Sequence, residues 1–386
     1  MLKIKDIAQR FNACNFIVFF MNYKKFFSLF FLCFSFFLAS AQVAKYSNEF
    51  LSLGIGARGL AMSNTLVSLT DDVTAAYWNP AGLVRMQKPY QLSAMHAEYF
   101  AGIAKYDYIG AGYKIDSKQA VAFSWIRFGV DNIMNTTELI DKQGNFDYNK
   151  ITYFSAADNA FLMSYAYNFE KVAGLSIGAN AKIIRRTIGK FAGAWGFGLD
   201  AGIQYHNNGW QAGAMLKDAT NTFNAWSYTL TDRIIEVLED TGNELPENGL
   251  ELTVPKLNLG AGKYVEFGKG FNATFAIDFD CTFDGKRNTL IKSKPLSIDP
   301  HFGMEFAYKT IVALRAGIGN LQQIPYFDGK NRFTCQINFG IGIGIKDIVF
   351  IDYAYTNLGN ISIALDSHIF SLKVAIDSFK RNGRRD

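Results

Sequence analysis

The feature that most constrains this sequence is the length over which hydrophobicity alternates with period two. From Phe271 one face reads Phe271, Ala273, Phe275, Ile277, Phe279, Cys281 and Phe283; the other reads Asn272, Thr274, Ala276, Asp278, Asp280 and Thr282. From Phe333 an apolar set (Phe333, Cys335, Ile337, Phe339, Ile341, Ile343, Ile345) opposes Thr334, Gln336, Asn338, Gly340, Gly342 and Gly344. Near the end, Phe370, Leu372, Val374 and Ile376 oppose Ser371, Lys373, Ala375 and Asp377. Successive strand side chains point to opposite faces, so each run has one greasy face and one polar or glycine face. Strands of soluble sandwiches mostly run to about 5–6 residues. Runs roughly twice as long suit a tilted barrel wall, with lipid outside and water or a plug inside.

Such segments recur at about 90–99, 105–115, 119–128, 159–168, 173–186, 194–205, 210–218, 255–265, 271–283, 296–308, 311–319, 333–345, 348–356 and 367–379, which makes fourteen. The connections between them alternate in length. After even-numbered strands they are tight, as at Asp116-Ser117-Lys118, His206-Asn207-Asn208-Gly209 and Lys346-Asp347. After odd-numbered strands most are long, notably 129–158, 219–254, 284–295, 320–332 and 357–366. Membrane barrels have short periplasmic turns and longer external loops, and a sandwich has no reason for this parity. The expectation is an all-β, antiparallel transmembrane barrel of fourteen strands, with both termini periplasmic and the long loops extracellular.

Composition agrees. Aromatics make up 15% of the 386 residues, with 35 Phe and 19 Tyr, while charged residues are 19%, below the roughly 25% of soluble domains. Lys24 and Lys25 precede an apolar run from Phe26 to Leu38 and the small residues Ala39-Ser40-Ala41, which reads as a signal peptide. Residues 1–41 are therefore expected to be an upstream extension and signal, starting in truth at Met21 and cleaved after Ala41. Their removal takes five bases and one acid from 39 and 34, leaving 34 and 33, a net charge near +1. The basicity belongs mostly to the discarded segment and argues nothing for nucleic acid. After residue 41 no apolar run is long enough for a helical span. Residues 380–386 form a basic tail.

Residues 42–88 do not read as wall. They are rich in Gly and Ala, carry Phe50, Leu51, Leu53, Ile55, Leu60, Met62, Leu66, Val67 and Leu69, and include a short helix capped near Thr70-Asp71-Asp72 and ended by Asn79-Pro80. A plug, or hatch, folded into the lumen of a barrel spanning 89–379 accounts for that content. Gly54-Ile55-Gly56-Ala57-Arg58-Gly59 matches G-x-G-x-x-G literally, but no strand precedes it and the chain is not α/β. Gly54, Gly56 and Gly59 read instead as hatch glycines that let the backbone bend and pack closely. Cys281 and Cys335 fall on apolar faces of non-neighbouring strands, and His96, His206, His301 and His368 are scattered, so no metal or cofactor is expected. Asp278 and Asp280 project together into the lumen, where a solvated or hatch-bonded face outweighs acid–base chemistry. No nucleophile motif occurs, and an enzyme is not expected.

Several stretches resemble the PorV/PorQ-like proteins of Bacteroidota, a branch of the FadL-like outer-membrane barrels. They are Phe50 to Met62, Asp71 to Leu83 with Asn79-Pro80-Ala81-Gly82, Phe128 to Thr136, Phe223-Asn224-Ala225-Trp226, and Asp352-Tyr353-Ala354-Tyr355 with His368. The resemblance implies a fourteen-stranded barrel with an amino-terminal hatch, in which Asn79, Pro80, Ala81 and Gly82 are structural. It also implies a role among proteins: a cargo shuttle or accessory subunit of type IX secretion or a related outer-membrane assembly, partnered by a translocon-type or assembly-type barrel or by secreted cargo. The aromatic and Met content of the two longest loops fits such contacts. Ile133, Met134, Tyr153 and Phe154 in one, with Phe223, Trp226 and Tyr228 in the other, are the expected partner-binding residues. The alternative is a FadL-like channel for hydrophobic small molecules, which needs an apolar pocket beside the hatch and a lateral opening or kinked strand.

Overall fold

The computed structural model describes residues 47–141, 143–325, 330–357 and 366–377; the expected signal segment 1–41 and basic tail 380–386 lie outside them. Its strands form one antiparallel sheet that closes on itself. The wall is β1 (Tyr90–Tyr99), β2 (Ala104–Lys114), β3 (Gln119–Asn135), β4 (Thr152–Asn168), β5 (Leu175–Ile188), β6 (Ala192–Asn207) and β7 (Trp210–Lys217). It continues with β8 (Lys256–Phe267), β9 (Phe271–Thr282), β10 (Ser297–Tyr308), β11 (Val312–Pro325), β12 (Asn331–Ile345), β13 (Val349–Asn357) and β14 (Asp366–Ile376). Each pairs with the next in sequence, and β14 pairs back with β1 from Tyr90↔Ile376 to Glu98↔His368. The closed fourteen-stranded barrel expected from the alternation is therefore the fold.

The tight connections are hairpin turns of a particular kind. Asn208 and Gly209 both have positive φ (48° and 76°), as do Lys346 and Asp347 (54° and 55°). Two successive left-handed residues give the type I′ turn, whose twist matches that of the flanking strands. The long connections are less loop-like than their polarity suggests. β3 runs on to Asn135 and β4 starts at Thr152, with a register shift between Val130 and Ile133. In the other, Phe223–Tyr228 pairs with the loop end of β6, and Gly249–Leu252 pairs with Phe223–Tyr228. Between them lies α3 (Asp232–Asp240), capped by Thr231 Oγ1, which accepts from the Ile234 N–H.

The outward apolar face is not the same height all round. On β9 it runs from Phe271 to Cys281, about 33 Å of strand, and on β12 from Ile345 to Phe333. On β3 it runs only from Val121 to Trp125, about 13 Å, and on β1 and β2 it is as short. Beyond it an ion-pair cluster faces outward: His96 Nδ1 lies 2.7 Å from Asp107, and Arg127 and Lys105 reach Asp131 at 3.7 and 3.6 Å.

Residues 47–88 run through the lumen. They contain a 3₁₀ turn (Glu49–Ser52), α1 (Ala57–Ala61), α2 (Ala75–Trp78) and a second 3₁₀ stretch (Pro80–Arg85). The segment starts at the loop end, where the Asn224 amide donates to Ser47 Oγ at 2.7 Å. It leaves at the turn end, where Arg85 donates to the Gly174 carbonyl at 2.6 Å and Lys88 pairs with Asp377 at 2.6 Å. The inward glycines of the wall make room for it. A Cβ at Gly202 would meet Asn79, one at Gly178 the backbone of Pro80 and Ala81, one at Gly317 the backbone of Met62, and one at Gly340 the side chain of Ala61.

Candidate functional site

The interface between hatch and wall is where the chain's unusual groups converge. Its centre is Asn79, fully buried. The side-chain oxygen accepts from the Ala81 N–H at 3.2 Å, capping the 3₁₀ stretch that Pro80 opens with its preset φ. The amide donates to the Val67 carbonyl within the hatch at 2.9 Å and to the Ile203 carbonyl of the wall at 3.0 Å. Asn79-Pro80 thus starts a new helical turn as well as ending α2. Ala81 and Gly82 are buried beneath it, and a Cβ on Gly82 would run into the Thr70 carbonyl. Gln204 donates to that same Val67 carbonyl at 3.1 Å, and Asn180 to the Ala76 carbonyl at 2.8 Å. Asp278, 1% exposed, accepts from the Val67 N–H at 2.9 Å, so it is hatch-bonded.

Towards the loop end the contact is aromatic and apolar. Tyr77 and Trp78 stand edge to face with centroids 4.8 Å apart. The Tyr77 hydroxyl donates to the Leu51 carbonyl at 2.6 Å and accepts from the Gly54 N–H; the Trp78 indole N–H donates to the Ile55 carbonyl at 3.2 Å. Burial pushes the Tyr77 phenol well above its usual range. Gly54 and Gly59 lie against the Trp78 ring, where a Cβ would collide with it, and Gly54 and Gly56 have φ of 93° and 75°. Phe50, Ile55, Met95, Tyr99, Tyr106, Ile126 and Leu162 complete this buried cluster, with Phe128 and Val130 packed against it from β3, beside the register shift. A cavity of about 50 Å³ adjoins it.

Towards the turn end the contact is ionic. Arg58 of α1 makes a two-pronged pair with Glu305, at 3.0 and 3.1 Å. Arg315 reaches Glu305 and Asp352, each at 2.6 Å, and Lys373 reaches Asp72 at 2.7 Å. Burial would lower the Arg58 guanidinium, but Glu305, Asp71 and Asp72 hold it above its ordinary value. Burial likewise pushes the Asp72 carboxyl up, yet Lys373 and Arg58 outweigh it and keep it well below the usual carboxylate range. A cavity of about 540 Å³ opens beside these groups.

The seven loop residues expected to bind partners fall into two groups, four on the β3–β4 hairpin and three on the strand Phe223–Tyr228. Ile133 and Met134 pair across the hairpin with Phe154 and Tyr153, continuing the wall. Met134 and Tyr153 are exposed, while the Phe154 ring packs edge-on to Phe191. Phe223 faces outward. Trp226 is already engaged: Arg186 lies 5.0 Å over its ring, its N–H donates to Glu251 at 2.9 Å, and Tyr228 stacks on it. The sequence reading noticed the glycine face of Gly340, Gly342 and Gly344, and Gly340 does lie against Ala61; the similarly spaced Gly196, Gly198 and Gly202 and the Arg58–Glu305–Arg315 chain escaped it.

No family model and no curated protein matches the chain. Solved structures do share its fold, a closed fourteen-stranded antiparallel barrel. The monoaromatic hydrocarbon channel CymD aligns with a TM-score of 0.54 at 12% identity, over 84% of this chain and 98% of its own. The Pseudomonas putida toluene transporter TodX aligns at 0.53 and 13%, over 88% and 100%. The Ralstonia pickettii toluene transporter TbuX aligns at 0.50 and 13%, over 84% and 98%. These matches overturn the expectation of a protein-binding shuttle or secretion subunit: the barrels that share this architecture along nearly their whole length are channels for small hydrophobic molecules.

Proposed function

We propose that the chain is a non-enzymatic outer-membrane channel for small hydrophobic molecules, held shut in this conformation by its own amino-terminal segment. The observation that carries the reading is the buried apolar cluster between the hatch and the inner face of β1–β5, next to the register shift in β3. A β-bulge bends its strand and breaks the ladder locally, which supplies the kinked strand such a channel needs. Residues 42–88 are then the hatch domain and 89–379 the barrel, with Asn79, Pro80, Ala81 and Gly82 as the structural anchor between them. The tight turns face the periplasm and the longer connections the outside, as their parity suggests. CymD, TodX and TbuX, by their names, pass monoaromatic hydrocarbons and toluene; the same ligand class suits a cluster built from Phe, Tyr, Trp and Leu. The narrower likeness to the PorV-like branch rests on its motif residues and adds no partner to this reading.

The test is uptake. Cells producing the full chain are expected to accumulate radiolabelled toluene faster than cells with an empty vector. Equal rates, with the barrel assembled in the outer membrane, would sink the proposal.

A further inference from the structure

On the outer wall of β3–β6 the residues are sorted into rows by the strand register. Trp125, Phe161, Ile183 and Phe197 stand side by side, one on each strand. The next row toward the loop end is Arg127, Asn159, Arg185 and Trp195, and the row beyond it is Gly129, Ala157, Thr187 and Gly193. Side chains two apart on a strand share a face, so all three rows look away from the lumen. Along the wall the order is therefore apolar, then basic, then small.

Both arginines bend toward the loop end and lie along the wall. A Cβ at Gly129 would come within 2.9 Å of the Arg127 guanidinium, and one at Gly193 within 2.8 Å of that of Arg185. Their stems start at the apolar border while their heads leave it, as long cationic side chains do at a membrane surface. Arg185 lies 5.0 Å over the Trp195 ring and donates to the Ala194 carbonyl at 3.3 Å; among the described residues no carboxylate pairs with it. Arg127 is held loosely, by Asp107 at 3.8 Å and Asp131 at 3.7 Å. Those carboxylates are shared, Asp107 with His96 at 2.7 Å and Asp131 with Lys105 at 3.6 Å. Between the arginines, the Asn159 side-chain oxygen accepts from the Trp125 indole at 3.1 Å, and its NH2 has no partner among the described residues. The two arginines are two strand spacings apart, about 10 Å, with Ala157 and Thr187 as a shallow floor between their heads.

We propose that this flank binds a phosphorylated lipid of the outer leaflet, with its phosphate between Arg127 and Arg185 and its acyl chains along Trp125, Phe161, Ile183 and Phe197. The proposal rests on the barrel standing in the outer membrane with its longer loops outside, and it holds whether or not the lumen conducts. The guanidinium fork matches phosphate oxygens two at a time, and the small floor lets a headgroup come close to the backbone. A soluble anion would use the basic row alone. A lipid uses the basic row and the apolar row beneath it together, which is the pairing found wherever basic side chains border a greasy wall at headgroup level.

The experiment is a titration of the full-length barrel, delipidated in mild detergent, with diphosphorylated lipid A, read by native mass spectrometry. Arg127→Gln with Arg185→Gln is expected to weaken binding about tenfold or more. Ala157→Trp, which fills the floor and keeps both charges, is expected to weaken it several-fold. Lys309→Gln with Lys346→Gln, at the turn end, is expected to leave it unchanged. Heat-modifiable migration in gels shows that each variant is folded. Wild-type affinity in the arginine pair or in Ala157→Trp overturns the site, as does an equal loss in the turn-end pair. Dephosphorylated lipid A, or inorganic phosphate alone, binding the wild type as tightly as lipid A overturns the lipid reading. A wild-type dimer that the arginine pair abolishes assigns the face to a second copy of the chain and overturns it too.

Discussion

The two ends of the lumen hold the same short segment by different means. At the loop end the hatch is gripped by rings: Tyr77 and Trp78 edge to face, Phe50 and Ile55 beneath them, Tyr99 and Tyr106 on the wall. At the turn end it is gripped by charge, through Arg58 to Glu305 and Lys373 to Asp72, next to a cavity about ten times larger. Apolar packing is indifferent to salt and pH but sensitive to volume. Ion pairs beside a roomy polar cavity respond to both salt and pH and tolerate small changes in volume. The end at which the proposed channel would admit its ligand is therefore the one whose strength comes from shape.

That contrast can be broken by design. Trp78→Ala at the loop end is expected to have the largest effect, about 3–5 kcal/mol from lost burial and the cavity left behind; thermal unfolding in detergent measures it. Glu305→Gln at the turn end removes the carboxylate that Arg58 and Arg315 share, leaving them Asp71 and Asp352, and is expected to cost about 1.5–3 kcal/mol. Its signature differs: the wild-type minus variant gap shrinks in 1 M salt, whereas the Trp78 gap does not. A salt response shared by both variants would erase the distinction between the ends.

Between the ends, Asn79→Ala leaves the Val67 and Ile203 carbonyls short of a donor and uncaps the Pro80 turn, for about 1–3 kcal/mol. The smallest effect is in pH. The Asp72 carboxyl is held below its unfolded value of about 3.9, so its contribution is complete above that value and is lost as pH falls below it. The protection factor of the Thr74 amide, which donates to Asp72, is expected to fall below about pH 4 in the wild type, with Asp72→Asn showing the lowered protection at every pH.

The wall was legible because one strand face meets lipid everywhere, so the alternation of Phe271 to Phe283 or Phe333 to Ile345 had no other explanation. The turn parity was legible for a related reason, as Asn208-Gly209 and Lys346-Asp347 carry their conformation locally. The extensions of β3 and β4 past the bulge were hidden, because Ile133, Met134, Tyr153 and Phe154 stand among polar residues that mimic a loop. The contacts of Trp226 were hidden too, because Arg186 and Glu251 lie more than twenty positions away in sequence. Hatch contacts are longer-range still: nothing near Asn79 foretells Ile203, and nothing near Arg58 foretells Glu305.

The tapering of the outward apolar face has a mechanical meaning for the membrane around it. With strands tilted by roughly 40°, the apolar faces of β9 and β12 stand about 25–30 Å tall, close to a bilayer core about 30 Å thick, but at β1–β3 the greasy surface ends early and gives way to His96, Asp107 and Arg127. Lipid next to a short hydrophobic surface thins, or the protein leans to share the mismatch. The membrane at the flank beside the β3 bulge is therefore the thinnest around the molecule, and headgroups there lie closest to the middle of the wall.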